Sequence, residues 1–333
     1  MPTPPRPIAW CCAGALIVPV AAGCGSAAGG ATGGTTRAAA HTAPAPAPAA
    51  PPTLRVTARA TLPAPVQLPA VAVAGGRVLA AGGLDAGDAS VADVVAVAPG
   101  APRLVGRLPA AVHDAAAAGL GGRLLVLGGG SASGPTAAIE SLAPDGGART
   151  VGALPAPSSD LAAARIGDAV YAVGGFTGSV ALRSILRYVP GQPVRQVATL
   201  PHPLRYAAVA AVGGRLLIAG GTDGVHARRE ILRFDPAGGG VRTIGTLPVA
   251  LEHVAGAALG GTFYVLGGRG ETLTSQRRAI LAVDPASGRV RLAGRLPLAL
   301  SDLGAATLGG RIWVLGGRDA AGRVHDEAWA LRR

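Results

Sequence analysis

The chain has 333 residues, enough for one large domain or two ordinary ones, and combines 3% aromatic and 14% charged residues with 52 Gly and 28 Pro. Gly and Pro at that level mark a low-complexity chain unless they recur at a fixed period, and here they do. The formal net charge is +12 and all 30 basic residues are Arg, with neither Lys nor Asn present. A GC-rich genome accounts for that usage; the functional alternative is a basic surface suited to phospholipid head groups, wall polymers or acidic sugars. No basic run is interleaved with aromatics, so nucleic acid is not an expected partner.

Residues 1–23 read as an export signal. Arg6 is the only charge of a short leading region, and Ile8 to Ala22 form an apolar stretch too short for a comfortable transmembrane span of roughly 20 residues. Ala21, Ala22 and Gly23 then stand directly before Cys24, a pattern that resembles the bacterial lipobox although its first position is usually Leu-like. The resemblance implies a diacylated Cys24 as the mature N-terminus; ordinary signal-peptidase cleavage and an uncleaved anchor are the alternatives. Cys11 and Cys12 would leave with the signal, so Cys24 alone would remain and no disulfide could form. Residues 24–52 are rich in Gly, Ala, Ser, Thr and Pro and end in APAPAPAAPP, the composition of a disordered tether that cannot bury a core.

From residue 53 to 333 three landmarks recur six times. A Gly-Gly pair closes an apolar run at Gly82, Gly128, Gly174, Gly220, Gly267 and Gly316, with successive spacings of 46, 46, 46, 47 and 49 residues. A Leu-Pro pair begins 20 residues before each (Leu62, Leu108, Leu154, Leu200, Leu247, Leu296), and a small two-residue turn falls seven residues before each. Within a repeat, an Ala/Val run such as AAVAAVG, a Gly turn and a second run such as RLLIAGG predict a hairpin. A third strand follows, as in Glu230 to Pro236, and a fourth, as in Val241 to Pro248, returns to the next Leu-Pro. Gly pairs in every apolar run exclude stacked helical repeats, and four antiparallel strands per roughly 45 residues predict an all-β, six-bladed propeller. The last repeat stops at its third strand, EAWALRR, and the strand LRVTARATLP precedes the first repeat, so the N-terminal strand is expected to complete the last blade and leave no open edge.

The repeats resemble the Kelch family, which carries Gly-Gly at the end of the second strand and an aromatic with Asp-Pro near the end of the third. The aromatic survives at Tyr188 and Phe234 and Asp-Pro at Asp235 and Asp284, while most other bulky positions are Val, Leu or Ala. The resemblance implies that the loops entering the first strands, and those between second and third strands, open on one partner-binding face. The first set supplies Gln67/Leu68, His113/Asp114, Ser159/Asp160, Arg205/Tyr206, Glu252/His253 and Ser301/Asp302; the second supplies Asp85, Ser131, Phe176, Asp223, Arg269 and Arg318-Asp319, with Arg228, Arg229, Arg277, Arg278 and His325 on longer insertions. Ionisable groups concentrated at one register of an Ala/Gly/Val/Leu scaffold suit sugar or acidic-ligand recognition. The candidate ligand-binding set is His113, Asp114, Asp160, Arg205, Tyr206, Glu252, His253, Asp302, Asp223, Arg269 and Arg318. Polar residues that simply cap turns and strand ends are the competing explanation.

These features predict an exported, membrane-tethered, monomeric module that binds a carbohydrate, a cell-wall component or a protein through its mouth. Resemblance to the exported Kelch sugar mutarotases implies an enzymatic alternative, for which Arg205, Glu252 and His253 are the candidate residues with Glu252 or His253 as general acid or base, and a purely structural wall protein is a third. No cofactor or metal is expected: the six His show no ligand spacing, and the glycine strings are blade landmarks without a Walker-type Lys. Galactose oxidase also carries a Kelch propeller, but its copper radical site needs a Tyr cross-linked to Cys, and Cys24 lies far from the propeller in sequence. The lipobox reading has a direct check. Intact mass should show a diacylated N-terminal Cys24 on a detergent-partitioning protein, lost in Cys24→Ser; a soluble, unmodified wild type would contradict it.

Overall fold

The computed structural model describes residues 53–143 and 147–333, so Cys24 and the 24–52 segment lie outside the described residues. An isolated strand, β1 (Arg55–Thr61), comes first. Blade 1 follows as β2 (Ala70–Ala74), β3 (Arg77–Ala81), β4 (Asp93–Ala98) and β5 (Arg103–Arg107), and blade 2 as β6 (Ala116–Leu120), β7 (Arg123–Leu127), β8 (Ala138–Leu142) and β9 (Ala148–Ala153). Blade 3 holds β10 (Ala162–Ile166), β11 (Ala169–Val173), β12 (Ser184–Tyr188) and β13 (Arg195–Thr199). Blade 4 holds β14 (Ala208–Val212), β15 (Arg215–Ala219), β16 (Arg228–Asp235) and β17 (Gly240–Leu251). Blade 5 holds β18 (Ala255–Leu259), β19 (Thr262–Leu266), β20 (Ala279–Val283) and β21 (Val290–Arg295), and blade 6 has β22 (Gly304–Leu308), β23 (Arg311–Leu315) and β24 (Glu327–Arg332).

Each blade is a four-stranded antiparallel sheet in chain order, and the sixth takes β1 as its outer strand in the order β1-β24-β23-β22. The expected closure is therefore present, with Arg55 opposite Arg332 and Thr61 opposite Glu327. One element differs from expectation. β17 runs on through Leu247-Pro248 to Leu251, because Arg228 at the start of β16 still pairs with Leu251.

Six apolar clusters fill the spaces between neighbouring blades. Strand alternation builds them. In β7, Leu124 and Val126 pack toward blade 1 while Leu125 and Leu127 pack toward blade 3. A second strand buried on both faces must be apolar at every position, which explains the uninterrupted runs before each Gly pair. The inner strands are Ala-rich because successive first strands converge on the channel, where there is no space for more: a Cβ on Gly119 would stand 1.8 Å from the Val73 carbonyl oxygen of the preceding blade.

The Gly pair joins blade to blade. In all six copies the second glycine's N–H donates to a carbonyl on the next loop leading into a first strand (Val112, Ser158, Leu204, Leu251, Leu300 and Val66) at 2.8–2.9 Å. The same carbonyl oxygens would lie 2.0–2.6 Å from a Cβ on the first glycine, whose φ is +61° to +65°. Close approach and a left-handed backbone therefore coincide at one residue, and only Gly meets both conditions.

Ring closure gives a direct test. Deleting residues 25–52 should leave the melting temperature within about 2 °C of wild type. Extending the deletion to Ala60 removes β1 and the buried Leu54, and should lower it by about 10 °C or more and expose a pairing edge that promotes aggregation. Equal melting of the two deletion variants would contradict the closure.

Candidate functional site

The loops leading into the first strands meet around one end of the channel. Their second residues, Leu68, Asp114, Asp160, Tyr206, His253 and Asp302, all have positive φ, between 53° and 62°. This conformation turns each amide toward the preceding blade. Leu68 N–H donates to the Asp302 carbonyl (2.7 Å), Asp114 to Leu68 (3.3 Å), Asp160 to Asp114 (2.8 Å), Tyr206 to Asp160 (3.3 Å) and Asp302 to His253 (3.2 Å). The remaining link is displaced by one residue, Val254 N–H donating to Tyr206 at 3.5 Å. A belt of backbone hydrogen bonds thus passes through all six blades. Asp and His are among the residues that tolerate the left-handed region best, so the concentration of ionisable groups at this register has a backbone cause as well as a chemical use.

The first residues of the pairs turn outward and form isolated bridges with the residue after each Gly pair: Gln67 with Leu84, His113 with Gly130, Ser159 with Phe176, Arg205 with Thr222, Glu252 with Arg269, and Ser301 with Arg318. The residues in register with the mouth are therefore Leu84, Gly130, Phe176, Thr222, Arg269 and Arg318. Asp85, Asp223 and Asp319 stand one position later and cap their own loops; Asp223 Oδ1 accepts from Val225 and His226 N–H at 2.8 Å each, and its other oxygen pairs with Arg228. Those backbone bonds, with Arg228 beside them, hold its carboxyl down to about 2.

At the belt the side chains form connected pairs. Asp160, 4% exposed, accepts from Arg205 Nε at 2.6 Å, and the Arg205 guanidinium lies 4.0 Å above the Phe176 ring. Burial works against the Arg205 charge, but Asp160 and Tyr206 more than offset it and its pKa rises. Tyr206 stacks on His253 with ring centroids 3.7 Å apart, and its hydroxyl faces Asp114 Oδ2 at 3.4 Å. Burial, then Asp114 and Asp160, push the Tyr206 phenol far up, so it remains a donor. Burial also raises Asp114 well above its ordinary value, and Asp160 and Asp302 raise it further. His253 Nδ1 bonds to Asp302, whose second oxygen accepts from the Ser301 hydroxyl. Burial tends to raise Asp302, but His253, Ser301 and Arg269 together bring it below its ordinary value.

His113 sits at the rim, its Nδ1 2.8 Å from the Ser90 hydroxyl, and burial lowers its pKa against the pull of Asp160. Glu252 and Arg269 pair at 3.0 Å and are both largely buried. Arg318 is 3.6 Å from Asp88, and its side chain is 40% exposed. Among the described residues no cluster of His, Cys, Asp and Glu is arranged to hold a metal ion, and no helix is long and apolar enough to cross a membrane.

Two cavities open here. The first, about 150 Å³, is the channel well, ringed by the six belt residues above the small side chains of the inner strands. The second, about 360 Å³, lies between blades 5, 6 and 1 and is lined by Gln67, Asp88, His253, Arg269, Gln276 and Arg318 among others. Leu68, His253 and Asp302 border both. Buried Gln276 Oε1 finds no hydrogen-bond partner, and His253 Nε2 makes no hydrogen bond among the described residues. Of the trio Arg205, Glu252 and His253, only His253 lines these two cavities; Arg205 is held by Asp160 and Phe176, and Glu252 by Arg269. Gln67 stands at the mouth register but outside the candidate set, and Gln276 and Asp88 are not readable from sequence, because the cavity forms between blades and Gln276 lies on an insertion without a fixed register.

Six sheets of four antiparallel strands around a closed channel define a six-bladed β-propeller. No protein-family model matches the chain, and no curated protein sequence does. Among solved structures the chain is similar to one titled "Structure of YjhT", with a TM-score of 0.70 and 13% identity over 82% of this chain and 96% of that one. At that identity the likeness shows the shared fold.

The belt carboxyls should respond differently to neutralisation. Asp114 has a folded pKa above its unfolded value of about 3.9, so the unfolded chain loses that proton first and stability falls as pH rises through the interval between the two. Asp114→Asn should remove this fall and equal or exceed wild-type stability at pH 7, whereas Asp160→Asn strands Arg205 and should cost about 3 kcal/mol. Urea unfolding between pH 4 and 8 measures both. Equal destabilisation by the two substitutions would contradict the assignment.

Proposed function

We propose that this chain is an exported, membrane-tethered propeller that binds a carbohydrate, free or as part of a wall glycan, in the cavity between blades 5, 6 and 1. The observation that carries the reading is the cavity itself. At about 360 Å³ it falls in the size range of small-molecule sites, where a protein-docking mouth would be flat. Its polar groups suit a polyol: the side chains of Gln67 and Gln276, the Arg318 guanidinium, and His253 at its inner border, whose ring stacks on Tyr206. Each hydroxyl of a sugar both donates and accepts, so a mixed donor–acceptor lining holds it better than a single charge.

A mutarotase-like activity is the second reading, and the His253–Asp302 pair favours it. With Nδ1 fixed by Asp302, Nε2 is the group equipped to take a proton from a bound hydroxyl and return it.

Isothermal titration with a panel of neutral and acidic mono- and disaccharides tests the binding. One sugar class should give saturable one-site binding, weakened at least about tenfold by Arg318→Ala, since a hydrogen bond to a charged group contributes about 1.5–3 kcal/mol. No saturable binding across the panel would contradict the reading. Anomer exchange measured by NMR on the bound sugar, abolished in His253→Ala with affinity retained, would select the enzymatic alternative.

A further inference from the structure

At the mouth the buried cations are matched by acids, Arg205 by Asp160 and Arg269 by Glu252. The opposite end of the propeller, where first and second strands turn, is different. An arginine belongs to each of the six turns, Arg123 reaching back to the Ser141 hydroxyl and carbonyl at 2.6 and 3.2 Å. Arg77, Arg123, Arg215 and Arg311 are the first residues of β3, β7, β15 and β23, directly after their turns. In blade 3, Ala169 takes that place, and Arg165 of β10 folds onto the turn and donates to the Gly167 carbonyl at 2.7 Å. In blade 5, Thr262 takes it, and Arg333 crosses from blade 6 to donate to the Leu259 and Gly260 carbonyls at 2.8 and 3.3 Å and to the Thr262 hydroxyl at 3.0 Å. Two blades that lack the arginine at its register thus receive one from elsewhere in the chain.

Acids are few at this end among the described residues. Asp168 lies on the blade 3 turn, Asp235 pairs with Arg215 at 2.8 Å, and Asp284 is turned onto the amides of Ala286 and Ser287 in its own turn. Five of the six turns are Gly-Gly and carry no side chain; only the blade 3 turn has one, that of Asp168. The described chain also begins here: Arg55 pairs with Arg332, and Arg311 and the 309–310 turn lie at the same end of the sheet. Whatever precedes residue 53 is joined to the domain at its arginine-bearing face.

We infer that this hairpin face docks onto an anionic phospholipid bilayer, with the mouth directed away from the membrane. Phosphate head groups meet a ring of fixed cations at the same end at which the N-terminal segment joins the fold. The inference does not rest on acylation of Cys24 or on the mouth ligand. A lipid anchor would raise the effective concentration of head groups, and the ring would set which face meets them.

Full-length Cys24→Ser protein, which has no acylation site, should be titrated with vesicles of phosphatidylglycerol and phosphatidylcholine at low salt, and with phosphatidylcholine alone. Binding should require phosphatidylglycerol and weaken as salt rises. The double variant Arg165→Gln/Arg311→Gln should bind about 25-fold more weakly, because each cation at an anionic surface contributes about fivefold. The mouth-side double variant Arg277→Gln/Arg323→Gln carries the same net charge and should lose less than about threefold. Unchanged melting temperatures would show that both pairs fold. Equal losses from the two pairs would mean that net charge alone is read, and binding without phosphatidylglycerol dependence would remove the electrostatic basis; either result overturns the proposal. So would tighter binding to a soluble anionic glycopolymer than to the vesicles, which would reassign the partner.

Discussion

Six backbone amides, one at each loop leading into a first strand, tie the blades together around the mouth of the channel. Everything at that end depends on them. Each amide is aimed by a residue in the left-handed conformation, which costs roughly 1–3 kcal/mol outside glycine and persists only where the surroundings hold it. The surroundings here are the preceding blade's carbonyl inside the belt and the bridge to the residue after the Gly pair outside it. The Gly pair completes the joint, because any side chain on its first member would push the neighbouring loop away. Blade docking, backbone conformation and the position of the site are therefore one constraint.

That constraint determines the chemistry of the well. Side chains at left-handed positions are brought toward the axis, so Asp114, Asp160 and Asp302 share one small well and are each largely buried. Three carboxylates cannot all remain charged there, and the protein answers each differently. Asp160 takes a guanidinium, Asp302 takes an imidazole and a hydroxyl, and Asp114 is pushed toward its neutral form by burial and by its two acidic neighbours, beside the Tyr206 hydroxyl. The pairing leaves His253 Nε2 and the groups of the adjoining cavity as the available polar atoms. The candidate site is displaced toward blades 5, 6 and 1 for that reason.

Much of this architecture was legible in the sequence, because its signals are periodic. Gly-Gly, Leu-Pro and the hairpin turn repeat in fixed register, and each corresponds to a backbone requirement repeated in every blade. The orphan strand before Leu62 and the missing fourth strand after β24 were enough to read the closure. The site was legible only in part. Asp114, Asp160, Tyr206, His253 and Asp302 stood out at one register and do meet at the well, but pairing is invisible in a linear chain. Arg205 and Glu252 looked as available as His253, yet each is held by a partner from another loop, 45 residues back in one case and 17 residues on in the other. Asp223 stood out for its charge and proves to be a loop cap. A preference for Asp and His at positive φ was the unused signal: it would have marked this register as a backbone feature before any ligand was considered.

The two ends of the propeller divide the work by charge. The mouth pairs its buried cations and retains cavities, whereas the hairpin end holds arginines at closely spaced turns with few acids. Both ends depend on the blades keeping their register around the ring, and the belt holds that register at the mouth. Native-state hydrogen exchange at residue resolution tests it most directly. The amides of Leu68, Asp114, Asp160, Tyr206, Val254 and Asp302, although they lie outside the regular strands, should exchange only through global unfolding, with protection equal to that of β7 and β15. Exchange at the rate of an exposed loop amide such as Thr274 would show that the belt does not hold the mouth together, and would contradict the account.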